Sequence, residues 1–249
     1  MQDQDRFSRI KALIGSDSWQ RLPQARVTVI GVGAVGSYAT EALARSGVGS
    51  LRLVDFDTVH PSNINRQLLA LESTIGQPKV DIAAARVADI NPDCRVEAIN
   101  KFADSSTLPE ILDNEPHLII DAIDSVGPKC RLLAEIYHTG IPILSSMGAA
   151  LRTDANRIKT GDLMDSSGCP LAKLVRGRLR KEGVGRGIFA VWSDEQVQYD
   201  FQAAPVDEGN SALASGRARI VLGSLPTITA IFGLRLAHEA LQMLTEVPE

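Results

Sequence analysis

Asp55, Asn63, Arg66, Lys79 and Asp124 are side chains whose types and spacing could do chemistry. They fall in "DFDTVHPSNINRQ" (55–67), "GQPK" (76–79) and "DAIDS" (121–125). The first stretch leaves a strand: Leu51, Leu53 and Val54 precede two carboxylates, Asp55 and Asp57. A carboxylate at a strand's end can take both hydroxyls of a ribose. An arginine and a lysine can neutralise a polyphosphate. Asp124 suits magnesium, a hard cation that takes carboxylate, water and phosphate oxygen. Each residue also has an ordinary reading. Lys79 could be a solvated lysine at a helix start, Arg66 a surface ion-pair partner, and Asp124 a cap for the next helix. Their joint order favours a site for a charged, hydroxyl-bearing ligand.

Gly31, Gly33 and Gly36 form GxGxxG between the apolar run "RVTVI" (26–30) and an alanine-rich helical pattern. In that context the first glycine makes the tight turn, the second lets a phosphate approach, and the third packs helix on strand. Helix N-terminal amides then favour an anion. Three packing glycines are the plain alternative. The glycines alone do not separate NAD, FAD and ATP. A nicotinamide-dependent oxidoreductase would use them with Asp55 but leave Arg66, Lys79 and Asp124 idle. A nucleotide-binding module without activity is a further reading.

These residues need a frame that brings them to one edge. Strands are expected at 26–30, 51–54, 95–99, 117–121 and 141–145. Helices are expected after the glycine loop, over 78–91 with Val80, Ala84 and Val87 on one face, and over 127–138. The alternation predicts an α/β, Rossmann-like, doubly wound, mostly parallel sheet. Ligands of such sheets bind at the strands' carboxyl ends. Past residue 150 the rhythm changes. A basic helix (169–183), a strand-like run (187–193) and a small, polar, mobile excursion (203–219) precede a final helical pattern over 223–244. We read one domain over 1–249: a helical arm (1–25), a nucleotide-binding core (26–150), an extension (151–222) and a helix returning to the core (223–244).

The totals bound the function. The 249 residues are 44% hydrophobic with a net charge of -4, so a sizeable core is possible and no global basic field points to nucleic acid, which leaves local charge to be read separately; no DNA partner is expected. Cys94, Cys130 and Cys169 stand far apart, without a CxxC pair, which excludes a four-cysteine zinc site within one chain. A sparse, odd count suits a reducing compartment, and the acidic N-terminus is no signal peptide, so a cytoplasmic protein is expected. The apolar stretch 220–244 could be a membrane span. Arg235, His238 and Glu239 favour a buried helix instead.

"RFSRI", "GVGAVGS", "DFDTVHPSNINRQ", "GQPK", "INP" (90–92) and "DAIDS" resemble, in order, the motifs of the ubiquitin-activating-enzyme-like superfamily. That superfamily includes the bacterial ThiF- and MoeB-type adenylating enzymes of thiamin and molybdopterin synthesis. The resemblance is strong over residues 6 to 150. It implies activation of a carboxylate by ATP as an acyl-adenylate. It also implies roles: Asp55 on the ribose, Asn63 and Arg66 on the phosphates, Lys79 at the α-phosphate, and Asp124 on Mg2+. Arg9, second arginine of "RFSR", resembles the residue that family members insert into the partner subunit's site. A homodimer is therefore implied; a solvated Arg9 in an N-terminal helix is the alternative.

"DAIDSVGPK" (121–129) followed by "LRTDANRIKTGDLMDSSGCPLAKLVRGRLRKEG" (151–183) resembles the tRNA threonylcarbamoyladenosine dehydratase branch. This implies cyclisation of the threonyl side chain on the modified adenosine next to the anticodon. Lys173, Arg176, Arg178, Arg180, Lys181 and Arg186 would then meet RNA phosphates, against the plainer reading of a solvated helix face. The resemblance allows a monovalent cation and a sulfur-relay or cysteine desulfurase partner. Cys169 is the thiol nearest the loop region, with a buried, incidental role as the alternative. Adenylation of a small sulfur-carrier protein's C-terminus is the competing activity. The missing CxxC pairs count against it.

Overall fold

The structure, a computed structural model, describes residues 5–197 and 222–246. Two short helices, α1 (Ser8–Ile14) and α2 (Ser16–Trp19), lead into β1 (Arg26–Ile30). The core continues with α3 (Gly36–Ser46), β2 (Ser50–Val54), α4 (Lys79–Ile90), β3 (Arg95–Ile99), α5 (Leu108–Leu112), β4 (Leu118–Asp121), α6 (Val126–Tyr137) and β5 (Ile143–Ser146). The extension adds β6 (Ile158–Asp162), α7 (Pro170–Leu179) and β7 (Ile188–Ser193), and α8 (Pro226–Thr245) closes the described chain.

The strands form one sheet in the order β3-β2-β1-β4-β5-β7-β6. All neighbours are parallel except β6, which pairs antiparallel with β7. Successive side chains on a strand point to opposite faces. Val27, Val29, Leu51 and Leu53 therefore enter one core with Leu43 of α3 and Phe232 and Leu236 of α8. Ile30, Val54 and Ile119 enter a second core with Leu133 of α6 and Val175 and Leu179 of α7. Both faces are covered, which is why the central strands are mostly apolar, with Thr28, Arg52, Asp121 and Ser145 as buried polar exceptions.

The expected strands are present within a residue or two; α7 stops at Leu179, followed by a 3-10 turn to Glu182, and the last helix begins at Pro226 rather than 223. In α4, which begins at Lys79 after an extended Pro78, the buried side is Val80, Ala83 and Val87, with Ala84 half-buried. The edge strand β6 is additional to the expected set. Lys159 and Thr160 are exposed, so "IKTGD" lacks an apolar run. The 223–244 pattern is a helix packed on α3, with Arg235 and His238 facing outward. No helix among the described residues is long and apolar enough to cross a membrane. The excursion at 203–219 lies outside the described residues.

Candidate nucleotide site

The carboxyl ends of β1, β2, β4 and β5 open onto one cavity of about 1000 Å³. Gly31, Gly33, Asp55, Asn63, Arg66, Lys79 and Asp124 all line it. Four stretches scattered in sequence thus meet at one sheet edge.

The glycines divide by role. Gly31 sits in the left-handed region (φ 88°), where the chain turns out of β1, and its N–H donates to the Val54 carbonyl at 2.7 Å. A Cβ on Gly36 would lie 1.8 Å from the Gly31 carbonyl oxygen, so Gly36 permits the helix to start against the loop. A Cβ on Gly33 would meet nothing nearer than Gln67 Nε2, at 3.8 Å, so the protein's own packing leaves room there. Gly36 does not line the cavity; the other two do.

Asp55 closes the base of the site. Its Oδ2 accepts from Val32 N at 2.8 Å and its Oδ1 from Asp57 N at 2.9 Å. Burial pushes its carboxyl above the ordinary value, opposed by Lys79 and by these amides. Lys79 is 4% exposed. Its Nζ donates to Asp57 Oδ2 at 2.9 Å and its backbone N–H to the Asp57 carbonyl at 3.0 Å. The reading of Lys79 as a solvated helix-start lysine is therefore wrong. An ammonium is excluded from water there only because Asp57 accompanies it. Asn63 is buried, and its Oδ1 accepts from His60 N at 3.1 Å, leaving the amide nitrogen as its donor end. Arg66 Nη1 donates to the Ser62 carbonyl at 2.9 Å and to Asn65 Oδ1 at 2.8 Å.

Asp124 is exposed at the rim. It does not cap the next helix, whose capping position is Ser125. Its loop is fixed from below by a network that no sequence motif announced. Asp121 Oδ1 accepts from Ile123 N at 3.1 Å, and Asp121 Oδ2 accepts from Lys129 Nζ and, at 2.6 Å, from Ser145 Oγ. Lys129 is fully buried. Among the described residues no group of three or more His, Cys, Asp or Glu could hold a metal. One rim carboxylate fits a magnesium that arrives with phosphates and keeps its waters, not an all-protein cage.

The remaining residues singled out from sequence fall mostly away from the cavity. Arg9 is exposed on α1 and does not line it. Lys173, Arg176 and Arg178 are on α7, Arg180 and Lys181 on the 3-10 turn that extends it, and Arg186 follows. α7 buries Ala172, Val175 and Leu179 and leaves most of the basic groups outside. Three are engaged: Arg176 donates to Ser166 Oγ, Arg186 pairs with Asp165 at 2.5 Å, and Arg178 lies against the Cys130 thiol. Cys169 is buried, caps α7 by accepting from Ala172 N at 3.5 Å, and lines the cavity. Burial raises the thiol of Cys94 to about 11 and that of Cys130 in the same direction, as befits inert core thiols.

A glycine turn at β1–α3, an acid ending β2 and cations on the facing wall define an α/β nucleotide-binding protein. The chain belongs to the ThiF family, which matches residues 7–249. It is 40% identical over 242 residues to the tRNA threonylcarbamoyladenosine dehydratase of Bacillus subtilis, covering 97% of this chain and 95% of that one. The crystal structure of the Escherichia coli tRNA N6-threonylcarbamoyladenosine dehydratase in complex with ATP matches with a TM-score of 0.84 and 33% identity, over 96% of this chain and 93% of that one. The molybdopterin-synthase adenylyltransferase of Salmonella typhimurium is 38% identical over 155 residues, 61% of each chain.

Proposed function

We propose that this chain is an ATP-dependent tRNA threonylcarbamoyladenosine dehydratase. The observation that carries the reading is the single cavity joining the glycine loop, Asp55, Lys79 and Asp124 to a wall built by the extension. The full-length likeness to dehydratases, against a partial one to a carrier-protein adenylating enzyme, supports the same choice.

The chain's groups would work as follows. ATP lies with its phosphates over Gly31 and Gly33 and its ribose hydroxyls on Asp55. Arg66 and the amide nitrogen of Asn63 contact the phosphates. The threonyl carboxylate attacks the α-phosphorus, the bond to the bridging oxygen breaks, and pyrophosphate leaves. Lys79 faces the charge that develops there, and a charge placed in advance is worth most in a water-poor site. A group within the same side chain then attacks the acyl carbon and AMP departs. The net change is loss of one water, driven by ATP. Bound Mg2+, held by Asp124, would supply charge neutralisation on the phosphates.

Further parts of the reading rest on the family likeness. The enzyme is a homodimer in which Arg9 serves the partner's site, consistent with its absence from its own cavity. Lys173, Arg176, Arg178, Arg180, Lys181 and Arg186 meet tRNA phosphates. A monovalent cation and a sulfur-relay or cysteine desulfurase partner accompany the activity in the cytoplasm. The test is exchange of labelled pyrophosphate into ATP. Exchange stimulated by tRNA bearing threonylcarbamoyladenosine supports the proposal. Exchange stimulated only by a small carrier protein with a free C-terminus would replace it with the competing activity.

A further inference from the structure

The cavity has two halves. Opposite the glycine loop it is walled by residues 146–152 after β5, by the first turns of α7 and by the start of α8. Met147, Ala149, Ala150, Leu171 and Leu174 make this half apolar, and Arg152 is its only charged side chain among the described residues.

Arg152 is 2% exposed. Its Nη1 donates to the Glu195 carbonyl at 2.6 Å, while its buried Nε has no acceptor. No carboxylate among the described residues pairs with it. A buried guanidinium without a directly paired carboxylate is costly. The wall around it is held at further cost. Leu151 adopts a left-handed backbone (φ 61°), which a leucine rarely does, and its N–H donates to the Gly223 carbonyl at 2.8 Å. The Glu195 carboxylate is taken up by its neighbours: it accepts from Thr153 N at 2.9 Å, Asp154 N at 3.0 Å and Thr153 Oγ1 at 2.8 Å. Glu195 thus spends its acceptors on clamping the segment; it feels the Arg152 charge but forms no direct ion pair with it. Strain, and a buried guanidinium with no direct ion pair among the described residues, at a cavity wall rather than in the core, point to an anionic ligand.

We infer that Arg152 receives the carboxylate of the amino-acid moiety on the modified adenosine and holds it for attack on the α-phosphorus. This rests on the dehydratase reading. A carboxylate and a triphosphate repel each other, and a planar guanidinium can take a carboxylate by two parallel bonds. A carboxylate oxygen bonds to phosphorus, pyrophosphate leaves with the electron pair, and Arg152 stays protonated. The acyl-adenylate no longer carries the carboxylate charge, so the hold on it relaxes once adenylation is complete.

The test uses Arg152→Gln and Arg152→Lys in the full chain. ATP binding measured by calorimetry should be unchanged in both, because the nucleotide half is intact. The dehydration of modified tRNA is then inhibited with free threonylcarbamoyladenosine or with its methyl ester. The wild type should prefer the carboxylate. Arg152→Gln should lose about 10- to 100-fold of that preference, the range of a charge-assisted hydrogen bond, with the ester unaffected. Arg152→Lys should keep part of it, and it carries the test if the glutamine variant does not fold. Unchanged preference in the variants, with an active wild type, overturns the inference alone. A wild type that leaves the modified tRNA unconverted overturns the dehydratase reading with it.

Discussion

Gly33→Ala and Gly36→Ala should part company, although both alter the same GxGxxG loop. A methyl on Gly36 would sit 1.8 Å from the Gly31 carbonyl oxygen, 2.9 Å from its carbon and 3.3 Å from Ala122 Cβ. The first two atoms are backbone and cannot rotate away. Either the turn or the first coil of α3 must move, and overpacking against rigid atoms costs about 3 kcal/mol or more. A methyl on Gly33 meets only Gln67, at 3.8 and 3.9 Å, and the Gly33 φ lies outside the left-handed region. Its effect on the free protein should be within about 0.5 kcal/mol, or mildly stabilising through the unfolded chain. The methyl would instead stand in the cradle where a phosphate approaches the amides. Removing one such charge-assisted hydrogen bond weakens ATP about 10- to 100-fold. Urea melts of the free protein and calorimetric titration with ATP separate the two effects. Gly33→Ala should melt like the wild type and bind ATP poorly; Gly36→Ala should do badly in both. A Gly33→Ala protein that binds ATP normally, or that loses as much stability as Gly36→Ala, would refute this division of roles.

Asp55→Asn should weaken ATP yet stabilise the free protein at neutral pH. The sign follows from the raised carboxyl: its stabilising contribution is full below the unfolded value near 3.8 and is lost as pH rises through the higher folded value. Paired melts at neutral and acid pH should show the gap between variant and wild type closing on acidification. Arg178→Glu and Arg180→Glu should each weaken tRNA binding and lower its logarithmic salt slope by about one for each phosphate no longer neutralised, read by filter binding over a salt series. ATP binding should not change. Arg9→Ala and Asp124→Ala should each be inactive as homodimers, while subunits of the two mixed together should regain part of the turnover. No regain in mixed dimers would place Arg9 in its own chain's chemistry or outside it.

The parallel sheet was legible because its strands are short apolar runs bounded by glycines and polar groups, as in 26–30 and 51–54. The glycine loop was legible for a related reason: its positions answer steric needs that glycine meets. Asp55, Lys79 and Asp124 could be nominated because they follow strands or open a helix at the sheet's carboxyl edge. What sequence did not carry was pairing across distance. That Asp57 escorts Lys79 depends on the loop after β2 folding back onto the start of α4, and that Asp121, Lys129 and Ser145 share a buried network under the Asp124 loop depends on register between β4, β5 and α6. Arg152 gave no signal either. It follows a strand's end by several residues, and only the antiparallel return of β6 on β7 brings Glu195 to its side. The edge strand β6 escaped because its outer face is polar.

The measurement that bears most directly on the account is the mass of the nucleosides digested from tRNA incubated with the protein and ATP. The tRNA should carry threonylcarbamoyladenosine, and magnesium should be present or withheld. The account predicts that this nucleoside loses the mass of one water, only with ATP and magnesium, and with AMP and pyrophosphate formed in step. An unchanged nucleoside mass, with ATP bound by the same preparation, would contradict it.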